Sequence, residues 1–295
     1  MPFFQNKQLI MKHFWTNYHS HSHYCDGVGS LEEQVLGAIE QGVRAFGFSG
    51  HSPVFFKNEW SMQADKLDDY LTETRLLKEK YAGQIELYTG LEVDYIPNGC
   101  GPHQFKDTLD FTIGSIHFLD TDTQGKPLEI DGSTTGFMNG LATMFDYNIQ
   151  AMLEKYYAYF RKMVAEDKPD MVGHLDKIKI HNINNALFDE TDAWYVTAVQ
   201  ETLEAIAKAD CIVEVNTRGV YKKHLTTYPS LQILKQIKAL NIPIVINADS
   251  HHPTEITAQY AETAEKLLEI GFKTLRVLIN RQWQDLPFDR QGLKY

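Results

Sequence analysis

Short apolar, β-branched or aromatic runs alternate along this chain with longer stretches in which apolar residues recur every three to four positions. The runs fall near 14–20, 44–49, 85–92, 110–116, 170–174, 211–216, 243–248 and 273–279. The stretches at 31–42, 65–82, 137–167, 190–209, 229–240 and 255–270 read as helices. In DKLDDYLTETRLLKEKY, for example, Leu67, Tyr70, Leu71, Thr74 and Leu77 fall near one face. This alternation predicts repeated βα units around a parallel sheet, and seven or eight of them closed into a barrel would carry functional side chains at the carboxyl ends of the strands. The Gly-, Pro- and Asp-rich segments 94–109 and 120–136 read as loops at the barrel mouth. No linker, low-complexity tract or repeat interrupts the pattern, so 1–295 reads as one domain, with 1–13 an N-terminal extension and the core at about 14–280.

Nearly every predicted strand ends in a residue type that ligates metals. His19 and His21 close the first run, His51 follows the second, and Glu92 ends the third. His117 follows the fourth run, His174 ends the fifth, and Asp249 with His251 follows the seventh. The spacing of His19 and His21 puts both imidazoles on one face of an extended strand, within reach of one ion. Alone, such a pair reads as readily as two surface histidines. Asp26, in HYCDG, and the other strand-end groups change that reading. Asp249 and His251 repeat the spacing, so closing the barrel would set the two pairs side by side. Six histidines and three carboxylates are too many for one ion and suit two or three, with carboxylates bridging. A donor set of imidazole and carboxylate without thiolate suits Zn, Fe or Mn.

Composition narrows the partners. Lys and Arg number 28 against 39 Asp and Glu, a formal charge of −11, and no basic patch breaks that balance, which opposes a long polyanion such as nucleic acid. No apolar run reaches membrane-spanning length, and the first residues lack the pattern of a secretion signal, so a soluble, cytoplasmic protein is expected. The three cysteines, Cys25, Cys100 and Cys211, are scattered without a metal or disulfide spacing and read as reduced thiols. Three ionised carboxylates facing three divalent ions would leave about +3 at the mouth, which draws a small phosphate ester into an otherwise acidic protein. A water on such ions, its pKa lowered toward ~7, would supply the nucleophile.

The motifs HSHSHYCDG, FSGHSP, GLEVDY, GSIHF, VGHLD and NADSHHP, in that order from about residue 17 to 255, resemble those of the PHP (polymerase and histidinol phosphatase) superfamily. The resemblance implies a distorted (β/α)7 TIM-like barrel with three divalent transition-metal ions at the carboxyl ends of its strands. It implies one ion held by His19, His21, Glu92 and Asp249, a second by Asp26, His51 and His251, and a third by Glu92, His117 and His174. The compact length and the segments GSIHFLD, HLDKIKIHN and EVNTRG look most like the histidinol-phosphatase branch, which hydrolyses L-histidinol phosphate in histidine biosynthesis through a metal-bridging hydroxide. Alternatives are a phosphatase of the same family acting on phosphotyrosine or another small phosphoester, a nucleic-acid-processing module, and a non-catalytic metal-binding protein.

Arg218, just beyond the run at 211–216, is expected to grip phosphate oxygens, and Asn216 to line the site from the same strand end. Asp249 and His251 are the nearest candidates for protonating the leaving oxygen. Trp60, and with it Phe55, is placed to cover a substrate ring. Lys177 reads as a solvated residue. His13, His103, His181 and His224 read as surface or loop histidines. His23 and His252 are left out of the metal set, His23 as a residue that could back it. Cys25 reads as a small packed residue, and Tyr156, Tyr157, Tyr159 and Phe160 as a helix face packed on the barrel.

Overall fold

The computed structural model describes residues 13–123, 125–222 and 226–294. Its strands are β1 (His13–Asn17), β2 (Val43–Phe48), β3 (Glu86–Asp94), β4 (Phe111–Ser115), β5 (Phe118–Thr121), β6 (Pro127–Glu129), β7 (Met171–Val172), β8 (Ile212–Asn216), β9 (Ile244–Asn247), β10 (Thr274–Ile279), β11 (Gln282–Asp289) and β12 (Gly292–Lys294). The helices are α1 (Leu31–Glu40), α2 (Leu67–Lys80), α3 (Thr134–Phe145), α4 (Ile149–Glu166), α5 (Ala193–Ala209), α6 (Arg218–Tyr221), α7 (Leu231–Ala239) and α8 (Tyr260–Ile270). The strands β1-β2-β3-β4-β7-β8-β9 run parallel, each beside the next.

Closure of this sheet is made by side chains as much as by backbone. Ser20 bridges Ser250 in parallel, with the His21 amide donating to the Ser250 carbonyl at 2.8 Å and the Ser250 amide to that of His19 at 3.2 Å. Below this point the β1–β9 seam is too open for a regular ladder, and buried amides complete it. Asn247 Oδ1 accepts from the Tyr18 amide at 2.9 Å, and Asn17 Oδ1 from the Ala248 amide at 3.1 Å. Unpaired backbone groups in the interior would each cost a lost hydrogen bond, so polar side chains are retained in this otherwise apolar wall. The (β/α)7 barrel read from the sequence is therefore the observed architecture, distorted at one seam.

Inside the barrel the ring of Phe111 occupies the space over Gly47 and Gly90, where an added Cβ would come within 2.6 and 2.4 Å of it. These positions take no side chain because the aromatic fills their share of the interior. Outside, α4 buries Tyr156, Tyr157 and Phe160 against the sheet, as its periodicity predicts.

Three elements differ from the sequence reading. The helix expected over 137–167 is two helices, broken where Asp146 and Tyr147 take left-handed φ of 49° and 59° and Asn148 caps α4 by accepting from the Ala151 amide. Asn at an N-cap competes well for that amide, which favours a new start over a continuous helix. The segment 120–136 is not wholly loop, since β5 and β6 pair antiparallel within it. After the run at 273–279 the chain forms β11 and β12, which fold back so that β12 pairs with β1, His13 lying opposite Lys294. His13 is thus part of the sheet rather than of an extension, and residues 1–12 lie outside the described residues. No helix among the described residues is long and apolar enough to cross a membrane.

Candidate metal centre

Strand ends deliver the candidate ligands to one place. Glu92 and Asp94 share the inward face of β3, because alternate strand residues point the same way. Glu92 Oε2 lies 3.2, 3.6 and 2.9 Å from ring nitrogens of His19, His21 and His51. Its other oxygen, Oε1, lies 3.6 and 2.8 Å from those of His117 and His174. Five imidazoles from four different strand ends therefore surround one carboxylate that is 1% exposed. Burial alone would raise the pKa of Glu92, but the surrounding imidazoles hold it well below the usual carboxylate range.

Asp249 follows β9 in a left-handed conformation, φ 51°, which Asp tolerates better than most residues. Its Oδ1 stands 3.2 Å from His21 Nε2 and 3.7 Å from His19 Nε2. The turn at Asp249 carries His251 over to Asp26, whose Oδ2 is 3.1 Å from His251 Nε2, while Asp26 Oδ1 is 3.6 Å from both His21 Nδ1 and His51 Nε2. Gly27 makes this approach possible: a Cβ there would stand 2.3 Å from the backbone at His21 and Ser22.

Several of these contacts are close without being hydrogen bonds. His19 Nε2, His21 Nε2, His51 Nδ1, His117 Nε2 and Glu92 Oε2 are buried and have no hydrogen-bond partner. Buried polar atoms are rarely left so. Here their lone pairs converge on shared points, as ligand atoms of cations do. Three groups have ligand atoms within 4.8 Å of one another: His21, Asp26, His51 and His251; His19, His21 and Asp249; and His51, Glu92 and His117. The residues present fit divalent ions. The groups differ in detail from the division implied by family resemblance, since His21 joins Asp26, His51 and His251, and His51 rather than His174 joins Glu92 and His117. His174 is tied to Glu92 Oε1 by a 2.8 Å hydrogen bond from Nε2.

Two carboxylates overlooked in the sequence hold the imidazoles in place. Glu214, fully buried on β8, receives His19 Nδ1 at 2.6 Å and the His174 amide at 3.0 Å. It also accepts Nδ2 of Asn216 and of Asn247, each at 3.0 Å. Burial pushes its pKa up, but His19 beside it wins and the group sits below its ordinary value. Asp94 Oδ1 accepts both the amide and Nδ1 of His117 at 3.0 Å. A proton fixed on Nδ1 leaves Nε2 of His19 and His117 as the free lone pair that faces Glu92. An ionisable residue inside an apolar strand, as in IVEVN and GLEVDY, was the available signal.

A cavity of about 390 Å³ opens in front of the cluster, with Trp60, Asp131, Lys177, Arg218 and His251 among its lining residues. Arg218 Nη1 donates to the Asp249 carbonyl at 2.9 Å, so the guanidinium is anchored by one edge. Lys177 is not solvated but forms a 2.9 Å ion pair with Asp131, a residue of the segment read as loop. Burial would lower the Lys177 pKa, yet Asp131 raises it, and Asp131 is in turn held at about 2. Trp60 meets the His51 ring in a T-shaped contact and stacks face to face on Phe118, forming one wall.

Other expectations are corrected for Asn216, Phe55, Asp249 and His23, while those for His103, His252 and the cysteines hold. Asn216 does not line the cavity: it is fully buried, its amide group donating to Glu214 and to Asp249 Oδ2 at 3.1 Å and its Oδ1 accepting the Arg218 amide. It braces ligands instead of meeting substrate. Phe55 is 66% exposed and packs on Phe56, away from the cavity. Asp249 is a poor proton donor, since burial is outweighed by His19, Arg218 and His21, which hold it ionised. His23 is exposed, its ring tilted 43° against Tyr24, and it backs no ligand among the described residues. His103 pairs with Asp167, and His252 caps the turn at Thr254. His181 packs on Phe137. His224 lies outside the described residues. The cysteines are free, and burial pushes the Cys25 thiol, 3.5 Å from His21 Nδ1, up to about 12.

A parallel barrel that gathers imidazoles and carboxylates around a central glutamate at its strand ends defines a class of proteins built to hold divalent metal ions. Within that class the chain belongs to the PHP family: its residues 17–218 match the PHP domain. The Asp249–His251 pair lies beyond the matched stretch and reaches the same site through the closing seam. The chain is 24% identical over 268 residues to a probable histidinol-phosphatase of Deinococcus radiodurans, covering 87% of this chain and 94% of that one. It is 27% identical over 273 residues to the histidinol-phosphatase of Bacillus subtilis, covering 84% and 97%. Its fold superposes with a TM-score of 0.66, at 20% identity over 95% of this chain and 99% of the other, on histidinol phosphate phosphatase from Lactococcus lactis, solved with Zn, L-histidinol and phosphate.

Proposed function

We propose that this protein is a metal-dependent phosphomonoesterase that hydrolyses L-histidinol phosphate to L-histidinol and phosphate. The observation that carries the reading is the set of buried, unpartnered ligand atoms around Glu92, opening on a cavity lined by Lys177 and Arg218. The substrate comes from the relatives, which bear the histidinol-phosphatase name across nearly their whole length.

His19, His21, Asp26, His51, Glu92, His117, His174, Asp249 and His251 would hold three divalent ions, Zn, Fe or Mn. Such ions lower the pKa of bound water toward ~7 and offset the charge of a phosphate. The chain's own residues do the rest. Arg218 keeps part of its donor fork for non-bridging oxygens because only one edge is engaged at Asp249. Lys177 adds a fixed positive charge at the cavity wall. Trp60 excludes water from one side. Since Asp249 is held ionised, the leaving oxygen takes its proton from water at the cavity.

The test is phosphate release by metal-loaded protein from histidinol phosphate and from a panel of generic phosphomonoesters and phosphotyrosine. A large preference for histidinol phosphate is expected. Equal turnover of the panel, or none of histidinol phosphate, overturns the assignment.

A further inference from the structure

Most charged side chains on the cavity wall are already committed. Lys177 is paired with Asp131, Lys222 with Glu255 at 2.8 Å, and Arg218 with the Asp249 carbonyl. Asp26 and Asp249 belong to the ligand cluster. Glu129 also lines this cavity, and its carboxylate has no hydrogen-bond or ion-pair partner among the described residues. It stands at the end of β6, half-buried, directly across the hairpin from Phe118 of β5. Phe118 is the ring on which Trp60 stacks, at 5.1 Å and 6°.

A lone carboxylate beside an aromatic wall, lining the same cavity as Arg218 and the ligand cluster, is complementary to a molecule with a phosphate at one end and an organic cation at the other. We propose that Glu129 reads the positive charge of the substrate's alcohol portion and so selects cationic phosphomonoesters over neutral ones. The proposal deepens the phosphatase reading and rests on it. Glu129 is a specificity residue here: it touches the cationic part of the substrate and not the phosphorus.

A charge-assisted hydrogen bond in a half-buried setting implies that Glu129→Gln lowers selectivity by about 10- to 100-fold. Selectivity is read as kcat/KM for histidinol phosphate divided by kcat/KM for phenyl phosphate. Glu129→Lys should lower that ratio further, and inhibition by free L-histidinol should weaken in both variants while inhibition by inorganic phosphate persists. A ratio unchanged in Glu129→Gln and Glu129→Lys overturns the proposal. The two readings fail separately. Absence of histidinol phosphate turnover by the unsubstituted protein refutes that substrate, and the same ratio is then measured with phosphoethanolamine against glycerol 3-phosphate. A cation preference that survives both substitutions refutes Glu129.

Discussion

Replacing Glu214 by glutamine changes one atom yet should disable the His19 corner of the site. The two carboxylate oxygens of Glu214 divide four donors between them: Oε1 accepts His19 Nδ1 and Asn247 Nδ2, and Oε2 accepts the His174 amide and Asn216 Nδ2. A glutamine has one acceptor oxygen and one donor nitrogen. If the NH2 takes the Oε1 place, His19 must turn to its other tautomer, putting a proton on the Nε2 that faces Glu92. If it takes the Oε2 place, it meets two buried donors and orphans both. Each orphaned buried group costs about 1–3 kcal/mol, so the substitution costs the folded state roughly 2–6 kcal/mol. Loss of an outer hydrogen bond to a ligating imidazole weakens metal binding by about 10- to 100-fold. Metal affinity of the stripped protein, measured by chelator competition, should fall by that factor, with circular dichroism confirming the fold. Asp94→Asn provides the contrast. Only Asp94 Oδ1 is engaged, by both donors of His117, so an asparagine can keep that acceptor and turn its NH2 to the unpartnered Oδ2 side. Its effect should stay under about tenfold. If Glu214→Gln binds metal like the unsubstituted protein, or no worse than Asp94→Asn, the bracing role argued for Glu214 is wrong.

Further expectations concern the cavity and the seam. Arg218→Lys, which loses the planar fork while keeping the charge, should raise KM for the phosphoester more than about tenfold with metal content unchanged by elemental analysis. Asp131 has a pKa depressed to about 2 by Lys177, so its contribution to stability is complete above the ordinary carboxylate pKa and is lost as pH falls through about 2. The Asp131 side chain is 19% exposed, which keeps that contribution to about 2 kcal/mol or less; urea melts of Asp131→Asn and the parent should therefore converge as pH falls from 5 toward 2. Gly27→Ala should abolish metal binding at the Asp26 corner, because its Cβ would drive the His21 and Ser22 backbone away. A retained complement of bound metal in that variant would show that the turn tolerates a side chain.

The strand-end pattern made both the barrel and nine candidate ligands legible, because a parallel barrel converts a repeated position along the sequence into a ring in space. The pairing of H-x-H with D-x-H was readable in the same way, and the Ser20–Ser250 bridge realises it. The C-terminal hairpin was not readable. β11 alternates weakly in burial and owes its place to pairing with β10 and, through β12, with β1. Asn216 was placed at the right strand end, but only packing decides that its amide turns to Glu214 and Asp249 instead of the cavity. Lys177 looked like any lysine after a turn until the hairpin at 118–129 brought Asp131 to it.

The sequence by itself determined the alternation of strand and helix, the closing order of the barrel and the chemistry available at its mouth, since all three follow from local periodicity and residue type. Tertiary structure alone decided which nitrogen of each imidazole is free, which carboxylates brace and which ligate, and which charge on the wall stays unpaired. Those outcomes depend on contacts between residues as far apart as His19 and Glu214, and the free energy of a buried polar group is set by the partner it meets, not by its neighbours in the chain.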